Sequence, residues 1–535
     1  MSTLELPDQL NVATVLVDSH IAAGRSDKPA ILCGDRRVTY ADLQEGVNRL
    51  GNALKSLDVR MEERVALLLP DCPEWAFAFF GAMKIGAVAL PLNTTLTPAD
   101  YEYELNDSRT RVLIVDASLL ERLEPIREKL RYLEHVLVAG VPDAGSSWPG
   151  TVPLADIMQT SSPELTAAET SKDDAAFWLY SSGTTGAPKG TIHLHHDMLV
   201  EAVYYAQQTI GLRESDISYS VSKLFFAYGL GNGLYFPLSV GGTTILFPGK
   251  PSPDAVFDIL DRYQPTVFYS VPTSYAALLQ RAEETRRTDL GRVRMCVSAG
   301  EPLPKPVYDR WRERFGLEIL DGIGSTEILH IYISNRPGQS RGGSTGQLVP
   351  GYEYRIVDDQ GKDLPPGEVG TLLIKGDSIA AGYWNKHEKT KETFLGEWIN
   401  TRDKFRVDTD GFFWYMGRAD DMMKVGGQAV WPSEVEHVLQ QHPAVLESGV
   451  CGTPDEHGLI KPRAFVVLKN GQQPSEKLAR ELQEFVRQRT APYKYPRSVF
   501  FVDDLPKTAS GKIKRYQLRQ MASEKLRSGE PDSRV

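Results

Sequence analysis

The sequence has few cysteines, and none lies in a pattern that binds a metal or forms a redox pair. Within 535 residues they are scattered, without a CxxC pair or the spacing of zinc ligands, at Cys33, Cys72, Cys296 and Cys451. This pattern argues against a disulfide-rich secreted scaffold and favours reduced, mostly buried thiols. We therefore expect a cytoplasmic protein.

Long hydrophobic runs are also missing. The most apolar stretch, residues 75–92, contains Lys84 and Pro91, so it predicts a buried helix and strand and not a membrane span. Near the start, Glu5 and Asp8 interrupt the segment where a secretory signal would need basic and then apolar residues. We expect no stable insertion into a membrane.

Positive charge is not in excess. Sixty basic against seventy acidic residues give a formal net charge of −10, so the field of the whole protein does not attract a phosphate backbone. Nucleic acid is therefore not an expected partner. A bound polyanion would have to meet locally placed cations, backbone amides and a metal ion. What is present, 41% hydrophobic and 24% charged residues, is the balance of an ordinary globular protein.

The first part of the chain alternates helix and strand patterns. Thr39 and Asp42 have the spacing of a capping box, and one helical face follows them, at Leu43, Val47, Leu50, Leu54 and Leu57. Strands are predicted at residues 65–69, 87–90, 112–115 and 136–138, with helices from about residue 74 and over 119–130. Such alternation predicts a parallel sheet with crossover helices.

The pattern changes twice more along the chain. A second α/β series covers residues 175–314, and short alternating strands over residues 346–375 predict a β-rich module. After Gly417, Ser433 with Glu436 predicts the cap of a short helix, strands are predicted at 445–451 and 464–468, and a helix face is formed by Leu478, Leu482, Phe485 and Val486. We predict an α/β fold with a large N-terminal domain, residues 1–418, of two layered α/β subdomains plus the β-rich module. A small α+β C-terminal domain would cover residues 419–535.

One loop has the composition of a phosphate cradle. After the apolar run at residues 177–180 come Ser181, Ser182, Gly183, Thr184, Thr185, Gly186, Ala187, Pro188, Lys189 and Gly190. The glycines let backbone N–H groups turn toward an anion, the hydroxyls donate, and Lys189 adds a positive charge. The Walker pattern needs Gly before and Ser or Thr after the lysine, where this chain has Pro188 and Gly190. A flexible hydroxyl-rich surface loop is the plainer alternative.

Further motifs follow this loop in order. They are Gly322-Ile323-Gly324-Ser325-Thr326-Glu327, Thr401-Arg402-Asp403, Gly417-Arg418-Ala419-Asp420-Asp421 and Pro506-Lys507-Thr508-Ala509-Ser510-Gly511-Lys512. With the loop they resemble the adenylate-forming superfamily of acyl-CoA synthetases, luciferases and peptide-synthetase adenylation domains. The resemblance implies that ATP activates a carboxylic acid as an acyl-adenylate and that a thiol, coenzyme A, then takes the acyl group.

The resemblance assigns roles around the nucleotide. Lys512 is the implied catalytic lysine of adenylation, Thr326 contacts phosphate, and Glu327 holds Mg²⁺. By resemblance, Asp403 and Arg418 bind the ribose. The adenine pocket is formed by Gly300, Glu301, Pro302, Asp321, Gly322 and Ile323. Two residues depart from the family pattern. Ile323 stands where an aromatic residue is frequent, and Arg402 replaces the usual glycine before the ribose aspartate.

The second half-reaction needs a differently shaped site, which the family obtains by rotating a mobile C-terminal domain. By resemblance, Asp420 is the hinge, and Lys424, Gly426 and Gly427 then face the active site beside the pantetheine of coenzyme A. Acetylation removes the charge of a lysine, so an acetyltransferase and a deacetylase acting at Lys512 are further implied partners. The sequence leaves the oligomeric state open between monomer and homodimer.

The implied acid pocket has an aromatic wall. It is lined by the segment Leu224–Gly229, with Phe226, Ala227 and Tyr228, and by Gly324, His330 and Ile331. Together these segments most resemble benzoate-CoA ligases, with His330 as a pocket wall. Alternatives are an aryl-acid adenylating enzyme that loads a carrier protein, a ligase for hydroxybenzoate or a medium-chain fatty acid, a non-catalytic sensor, and a luciferase.

Overall fold

The computed structural model describes residues 4–140, 148–181, 187–418, 421–425, 428–455, 459–491, 493–507 and 513–527. Within these ranges the strands are β1 Pro29–Cys33, β2 Arg36–Thr39, β3 Arg64–Leu68, β4 Val88–Pro91, β5 Val112–Asp116, β6 His135–Ala139, β7 Val152–Pro153, β8 Ala175–Ser181, β9 Lys189–Leu194, β10 Ile217–Ser220, β11 Thr243–Ile245, β12 Val267–Ser270, β13 Met295–Ser298, β14 Ile319–Gly324, β15 Ile331–Ser334, β16 Gln347–Leu348, β17 Glu353–Val357, β18 Gly370–Lys375, β19 Gly382–Tyr383, β20 Phe394–Leu395, β21 Trp398–Val407, β22 Phe413–Arg418, β23 Met423–Val425, β24 Gln428–Val430, β25 Val445–Pro454, β26 Ile460–Leu468 and β27 Ser498–Phe501.

The α-helices are α1 Ser19–Ala22, α2 Tyr40–Ser56, α3 Pro73–Lys84, α4 Pro98–Asp107, α5 Leu154–Thr160, α6 Asp197–Glu201, α7 Ala227–Leu230, α8 Phe236–Ser239, α9 Pro253–Tyr263, α10 Pro272–Glu284, α11 Lys305–Phe315, α12 His387–Thr393, α13 Pro432–Leu439, α14 Glu476–Arg489 and α15 Arg515–Arg527. Three π-helical turns cover Thr14–Asp18, Ala202–Thr209 and Gly231–Tyr235, and 3₁₀-helix covers Ala117–Lys129 and Thr326–Ile328.

The first sheet carries the predicted phosphate loop. Its order is β19-β9-β8-β4-β3-β5-β6-β7, and β4, β3, β5 and β6 run parallel, as the alternating pattern predicts. Helix α2 begins at the predicted capping box, in which the Thr39 hydroxyl accepts from the Asp42 amide and the Asp42 carboxylate accepts from the Thr39 amide. Strands β8 and β9 then pair antiparallel, with Ser181 opposite Lys189. The two ends of the loop therefore meet at one edge of the sheet.

The second sheet brings the turn with Thr326 and Glu327 to the same region. Its order is β16-β15-β14-β13-β12-β10-β11-β1-β2. Strands β12, β13 and β14 are parallel, and the chain reverses after Gly324 so that β15 pairs antiparallel with β14. The turn between β14 and β15 therefore contains residues 325–330.

The β-rich module and the small C-terminal unit form separate sheets. In the module the order is β17-β18-β21-β20, with β22 on β21, and β21 pairs with β22 so that Asp403 lies opposite Arg418. Farther along, β25, β26 and β27 form a sheet that packs on α14 through Leu482 and Val486. The mixed α/β class is confirmed, whereas the division at residues 418 and 419 stays a prediction.

One local prediction is confirmed with a different helix type, and one is wrong. The helix predicted at residues 119–130 covers Ala117–Lys129 as 3₁₀-helix, and Pro125 lies inside it, where it has no amide proton to donate to an α-helical bond. Ser433 and Glu436 do not cap α13. The Ser433 hydroxyl donates to the Met416 carbonyl, and the Glu436 carboxylate accepts from the Val450 amide. Glu434 accepts from the Trp431 amide in the place of the predicted cap.

The apolar stretch at residues 75–92 is a buried helix followed by a strand, as predicted. Helix α3 contains Trp75, Phe79 and Phe80, all fully buried. No helix in the described part of the chain is both long and apolar enough to cross a membrane.

Candidate active site

The described ends of the phosphate loop contact the carboxylate of Glu327. The Ser181 hydroxyl donates to Glu327 Oε1 over 3.4 Å, and Lys189 Nζ lies 3.9 Å from the same oxygen. Ser182, Gly183, Thr184, Thr185 and Gly186 lie outside the described residues, and so do the contacts predicted for them. Ser181 and Lys189 from the loop and Glu327 from the second motif do come together.

Tyr383 joins this cluster, although the sequence did not single it out. Its hydroxyl donates to Glu327 Oε1 over 2.8 Å and accepts from Lys189 Nζ over 3.1 Å, and the ammonium lies 4.2 Å from its ring centroid. Burial lowers the pKa of Lys189, while Glu327 acts against that shift. Strand β19 places Tyr383 beside β9 across almost 200 residues of chain, so no local spacing could have revealed it.

The turn that carries Thr326 and Glu327 is held through its backbone. The Thr326 carbonyl accepts from His193 Nε2 over 2.8 Å, the Glu327 carbonyl from the Ala380 amide over 2.9 Å, and the Ile328 carbonyl from the Ser378 hydroxyl over 2.8 Å. The turn ends at Leu329, whose φ is 74°.

The predicted ribose residues face each other on neighbouring strands. Arg418 Nη1 lies 3.7 Å from Asp403 Oδ1, and the Asp403 side chain is 12% exposed. The residue before Asp403 has a left-handed backbone, since φ of Arg402 is 60°. This conformation explains why glycine is usual there, because only glycine adopts it without steric cost. Arg402 donates from Nη2 to Glu392 over 3.2 Å at the surface.

The predicted adenine pocket lies at the ends of β13 and β14. Asp321 is buried, and burial raises the pKa of its carboxyl well above the ordinary value. Gly300 follows β13 with a φ of 92°, and Glu301 accepts from the Thr273 hydroxyl over 3.3 Å. Ile323 is half-buried on β14 next to Gly322, and Pro302 is exposed. Gly300 follows β13, and Asp321, Gly322 and Ile323 lie on the neighbouring strand β14, so the two predicted segments are adjacent in the sheet; their role around adenine stays a prediction.

The predicted acid wall is held by three hydrogen bonds. The Tyr228 hydroxyl donates to the carbonyls of Ser270 and Val297 over 3.1 and 3.3 Å, and His330 Nε2 donates to the Tyr228 carbonyl over 3.1 Å. Burial lowers the pKa of His330 to about 3, so the ring is neutral at physiological pH. A Cβ on Gly324 would lie 2.3 Å from the His330 carbonyl oxygen, which makes glycine necessary at this crossing.

The rest of the wall is aromatic and aliphatic. The rings of Phe225 and Phe226 meet edge to face with centroids 4.6 Å apart. Ala227 begins α7 and is half-buried, and Ile331 is buried at the start of β15. None of these side chains carries a charge, so the predicted wall presents an apolar surface.

Asp71 anchors the segment that forms this wall. Its Oδ1 accepts from the Leu224 amide over 3.1 Å, and Oδ2 lies 3.7 Å from Lys223 Nζ. Lys223 also donates to the Gly249 carbonyl over 2.8 Å and to the Phe247 carbonyl. Burial raises the pKa of Asp71 to about 6. The sequence did not single out Asp71, because its partners lie about 150 residues away.

Several C-terminal predictions lie outside the described residues: Lys512, Asp420, Gly426 and Gly427. Lys424 is described and exposed on β23. The residues that bracket Lys512 are fixed, because Lys507 and Ile513 form an antiparallel bridge and Lys507 Nζ lies 2.7 Å from Glu447 Oε2.

The donor set around Glu327 fits a magnesium ion that arrives with ATP. Such an ion needs one or two protein carboxylates, because phosphate and water oxygens complete its shell. Glu327 is 17% exposed and lies beside Ser181 and Lys189. Among the residues that the structure describes, no group of three or more His, Cys, Asp or Glu side chains could hold a metal by itself. One carboxylate beside a phosphate site is therefore the arrangement to expect.

Comparison with known proteins agrees with this site. Residues 19–384 match the family model described as AMP-binding enzyme, and residues 434–512 match the AMP-binding enzyme C-terminal domain. The chain is 47% identical to benzoate–CoA ligase of Thauera aromatica, over 96% of this chain and 97% of that protein. A crystal structure of a benzoate CoA ligase from Burkholderia xenovorans is 46% identical, with a TM-score of 0.86 over 95% of this chain and all of that one.

A crystal structure of an anthranilate CoA ligase in complex with anthranoyl-AMP is 45% identical, with a TM-score of 0.93 over 98% of this chain and 99% of that one. The predicted resemblance and the fold class are thereby confirmed. With these matches in both sequence and structure, the chain belongs to the AMP-binding enzyme family.

Proposed function

We propose that this protein is an ATP-dependent aryl-acid–CoA ligase with benzoate as its principal acid. The carboxylate and ATP give acyl-AMP and pyrophosphate, and acyl-AMP and CoA then give acyl-CoA and AMP. One observation carries the proposal. Glu327 contacts the phosphate-loop residue Ser181, and three residues later His330 contacts Tyr228 of the aromatic wall. A single turn thus joins a phosphate site to an aryl pocket.

The chemistry of the first step is the joining of two anions, so positioning and charge neutralisation supply most of the catalysis. A magnesium ion held by Glu327 would neutralise part of the phosphate charge. Lys189 adds a cation at the start of β9, and its bond to Tyr383 keeps the ammonium beside the carboxylate of Glu327. Thr326 supplies a hydroxyl for a phosphate oxygen.

We assign the nucleoside to the far end of the same site. Asp403 accepts from ribose hydroxyls, and Arg418, on the neighbouring strand, orients that carboxylate. Gly300, Glu301, Pro302, Asp321, Gly322 and Ile323 surround adenine. In this assignment Ile323 packs on the base through aliphatic contact and not through an aromatic ring.

The two half-reactions use different faces of the C-terminal domain. Lys512 brings an ammonium to the carboxylate and the α-phosphate during adenylation. Rotation at Asp420 then replaces it with Lys424, Gly426 and Gly427, which border the pantetheine channel. We place this enzyme in the cytoplasm, with Lys512 as the residue that an acetyltransferase would silence.

The aromatic wall favours a ring over a long chain. Tyr228, held by two backbone carbonyls, and the buried Ile331 limit the depth of the pocket. The similar solved protein named above as an anthranilate CoA ligase suggests that a small ring substituent fits the same architecture. Hydroxybenzoates and anthranilate are therefore secondary substrates in this proposal.

A panel of acids tests the proposal. Benzoate, hydroxybenzoates, anthranilate, cyclohexanecarboxylate and octanoate are each incubated with ATP and Mg²⁺, and exchange of labelled pyrophosphate into ATP is followed. Benzoate should give the highest kcat/KM. Acyl transfer is then compared with CoA and with a carrier protein as the acceptor. If none of the acids on the panel supports exchange, the proposal is overturned. If the acyl group is transferred to the carrier protein and not to CoA, the protein is instead an adenylating enzyme that loads a carrier protein.

A further inference from the structure

His193 connects the strand after the phosphate loop to the turn with Thr326 and Glu327. It lies on β9, four residues after Lys189, and is fully buried. Its Nε2 lies 2.8 Å from the Thr326 carbonyl oxygen and its Nδ1 2.8 Å from Asp197 Oδ2. Because a carbonyl oxygen can only accept, Nε2 carries a proton and donates it. The imidazole therefore links Asp197 to Thr326, with Nε2 as the donor to the Thr326 carbonyl.

Two neighbours fix the orientation of this ring. Asp197, also fully buried, bonds Nδ1 and in addition accepts from the Leu194 amide over 3.1 Å. On the face of the ring, Phe177 stacks with centroids 5.0 Å apart and an interplanar angle of 18°. A buried carboxylate is costly unless its hydrogen bonds are made, so rotation of the imidazole away from Asp197 is strongly disfavoured. The donor to Thr326 is therefore preorganised.

The turn that receives this bond needs such support. Leu329 is fully buried with φ 74° and ψ −50°, a conformation that non-glycine residues rarely adopt. Its amide shares the Thr326 carbonyl with His193, at 3.2 Å. Strain of this kind persists only where the surroundings over-determine the backbone, and it concentrates at functional sites. Among the hydrogen bonds to the backbone carbonyls of Thr326, Glu327 and Ile328 named above, that of His193 is the one that comes from β9.

We propose that His193 is a positioning residue for adenylation. It fixes Thr326 and Glu327 relative to Ser181 and Lys189, so that groups from the phosphate loop and from the turn close on one nucleotide. His193 itself touches neither ATP nor the acid, and it acts through the Thr326 backbone. The inference rests on the function proposed above and adds a residue to which no nucleotide contact is assigned.

Two substitutions separate the hydrogen bond from the packing. His193→Phe keeps a ring against Phe177 and removes the donor, whereas His193→Gln keeps an N–H that can reach the Thr326 carbonyl and removes the ring. Both substitutions weaken the contact with Asp197, so the difference in pyrophosphate-exchange rate between the two variants reports the hydrogen bond to Thr326. His193→Phe should lower the rate of pyrophosphate exchange by about 10- to 100-fold. His193→Gln should stay within about tenfold of the unaltered protein.

Further measurements distinguish positioning from general damage. The rise in Tm on addition of ATP with Mg²⁺ should shrink in His193→Phe and largely return in His193→Gln. The KM for benzoate and the rate of thioester formation from supplied benzoyl-AMP and CoA should stay near those of the unaltered protein. The matched control is His20→Phe, which exchanges another buried imidazole, packed on Tyr40, and should leave exchange unchanged.

Each outcome bears on one of the two proposals. If the unaltered protein exchanges no pyrophosphate, the proposed function is wrong. If it is active and His193→Phe matches His20→Phe in exchange rate and in the Tm rise with ATP, the positioning role is wrong. Equal loss in His193→Phe and His193→Gln, with both half-reactions impaired alike, would also contradict it, because a structural role alone would then explain the loss.

Discussion

Single residues in this site show environments that the sequence could not specify. His330 was predicted as a pocket wall, and burial with a pKa of about 3 makes a proton-transfer role at neutral pH untenable for it. Lys189, Glu327 and Ser181 could be named from motifs, but Tyr383, the common partner of Lys189 and Glu327, could not. The motif residues are local in the chain, whereas Tyr383 is brought in by pairing of distant strands.

His330 gives a prediction about pH. Its pKa in the fold lies below the ordinary value of 6.5, so the unfolded chain binds the proton first as pH falls, and stability is lost below about pH 6.5. The loss approaches about 1.4 kcal/mol per pH unit for this one group. His330→Gln keeps an N–H donor and does not titrate. Between pH 7 and pH 5 the free energy of unfolding of this variant, measured by urea denaturation, should therefore fall by about 2 kcal/mol less than that of the unaltered protein. An equal fall in both proteins would contradict the low pKa of His330.

Arg402 gives a prediction about backbone strain. Its φ of 60° costs an ordinary residue about 1 kcal/mol and a β-branched residue more. Arg402→Gly should change the free energy of unfolding by less than about 1 kcal/mol, because relief of strain offsets the greater freedom of the unfolded chain. Arg402→Val should lower it by about 1 to 3 kcal/mol. Chemical denaturation gives the free energy of unfolding of both variants. An equal change in Arg402→Gly and Arg402→Val would show that the backbone relaxes and that the strain is absent.

Elements were predicted well where one local pattern decides them. The capping box of α2 and the alternation of β3, α3, β4 and β5 could be identified from the sequence because capping and burial act over a few residues. The helix predicted at residues 119–130 is present, although its 3₁₀ type, with Pro125 inside it, was not predicted, and the prediction failed at α13, where Ser433 and Glu436 bond to distant partners. Tertiary hydrogen bonds decided the second case, and spacing alone does not reveal them.

The segment Lys223–Tyr228 gives a prediction at this scale. Asp71 holds it through the Leu224 amide and Lys223, so Asp71→Ala should free the acid wall and raise the KM for benzoate by about tenfold. The KM for ATP should change little. Asp216→Ala is the matched control, since Asp216 is a similarly buried aspartate paired with Arg294 away from this segment. A KM for benzoate that rises equally in both variants would contradict the anchoring role.

At the scale of the whole molecule, the family and its two-step reaction could be predicted from the order of the motifs. The arrangement of the sheets around those motifs could not. The paired ends of β8 and β9 in one sheet and the turn between β14 and β15 in the other meet at one place, and only the three-dimensional pairing shows which residues face each other. The predicted boundary at residue 418 follows β22 directly, and rotation about it is the remaining claim at this scale.

Lys512→Ala tests that rotation. Loss of one charge that stabilises the transition state should lower adenylation by at least about 10²-fold. Thioester formation from supplied benzoyl-AMP and CoA should survive, because Lys512 leaves the site before that step. Lys424→Ala is the reciprocal variant and should impair the second half-reaction more than the first. Equal damage to both steps in Lys512→Ala would refute the model of two conformations.

The short distance along the chain between Glu327 and His330 has a consequence for engineering new acid preferences. Changes at His330 or Ile331 would shift the turn with Thr326 and Glu327, because the close packing of β14 on β15 at Gly324 leaves no room for local adjustment. Phe226 and Ala227 lie on a different segment, which Asp71 fastens through the Leu224 amide. Libraries aimed at bulkier rings should therefore begin at those two positions, where selectivity can be altered without a penalty in nucleotide activation.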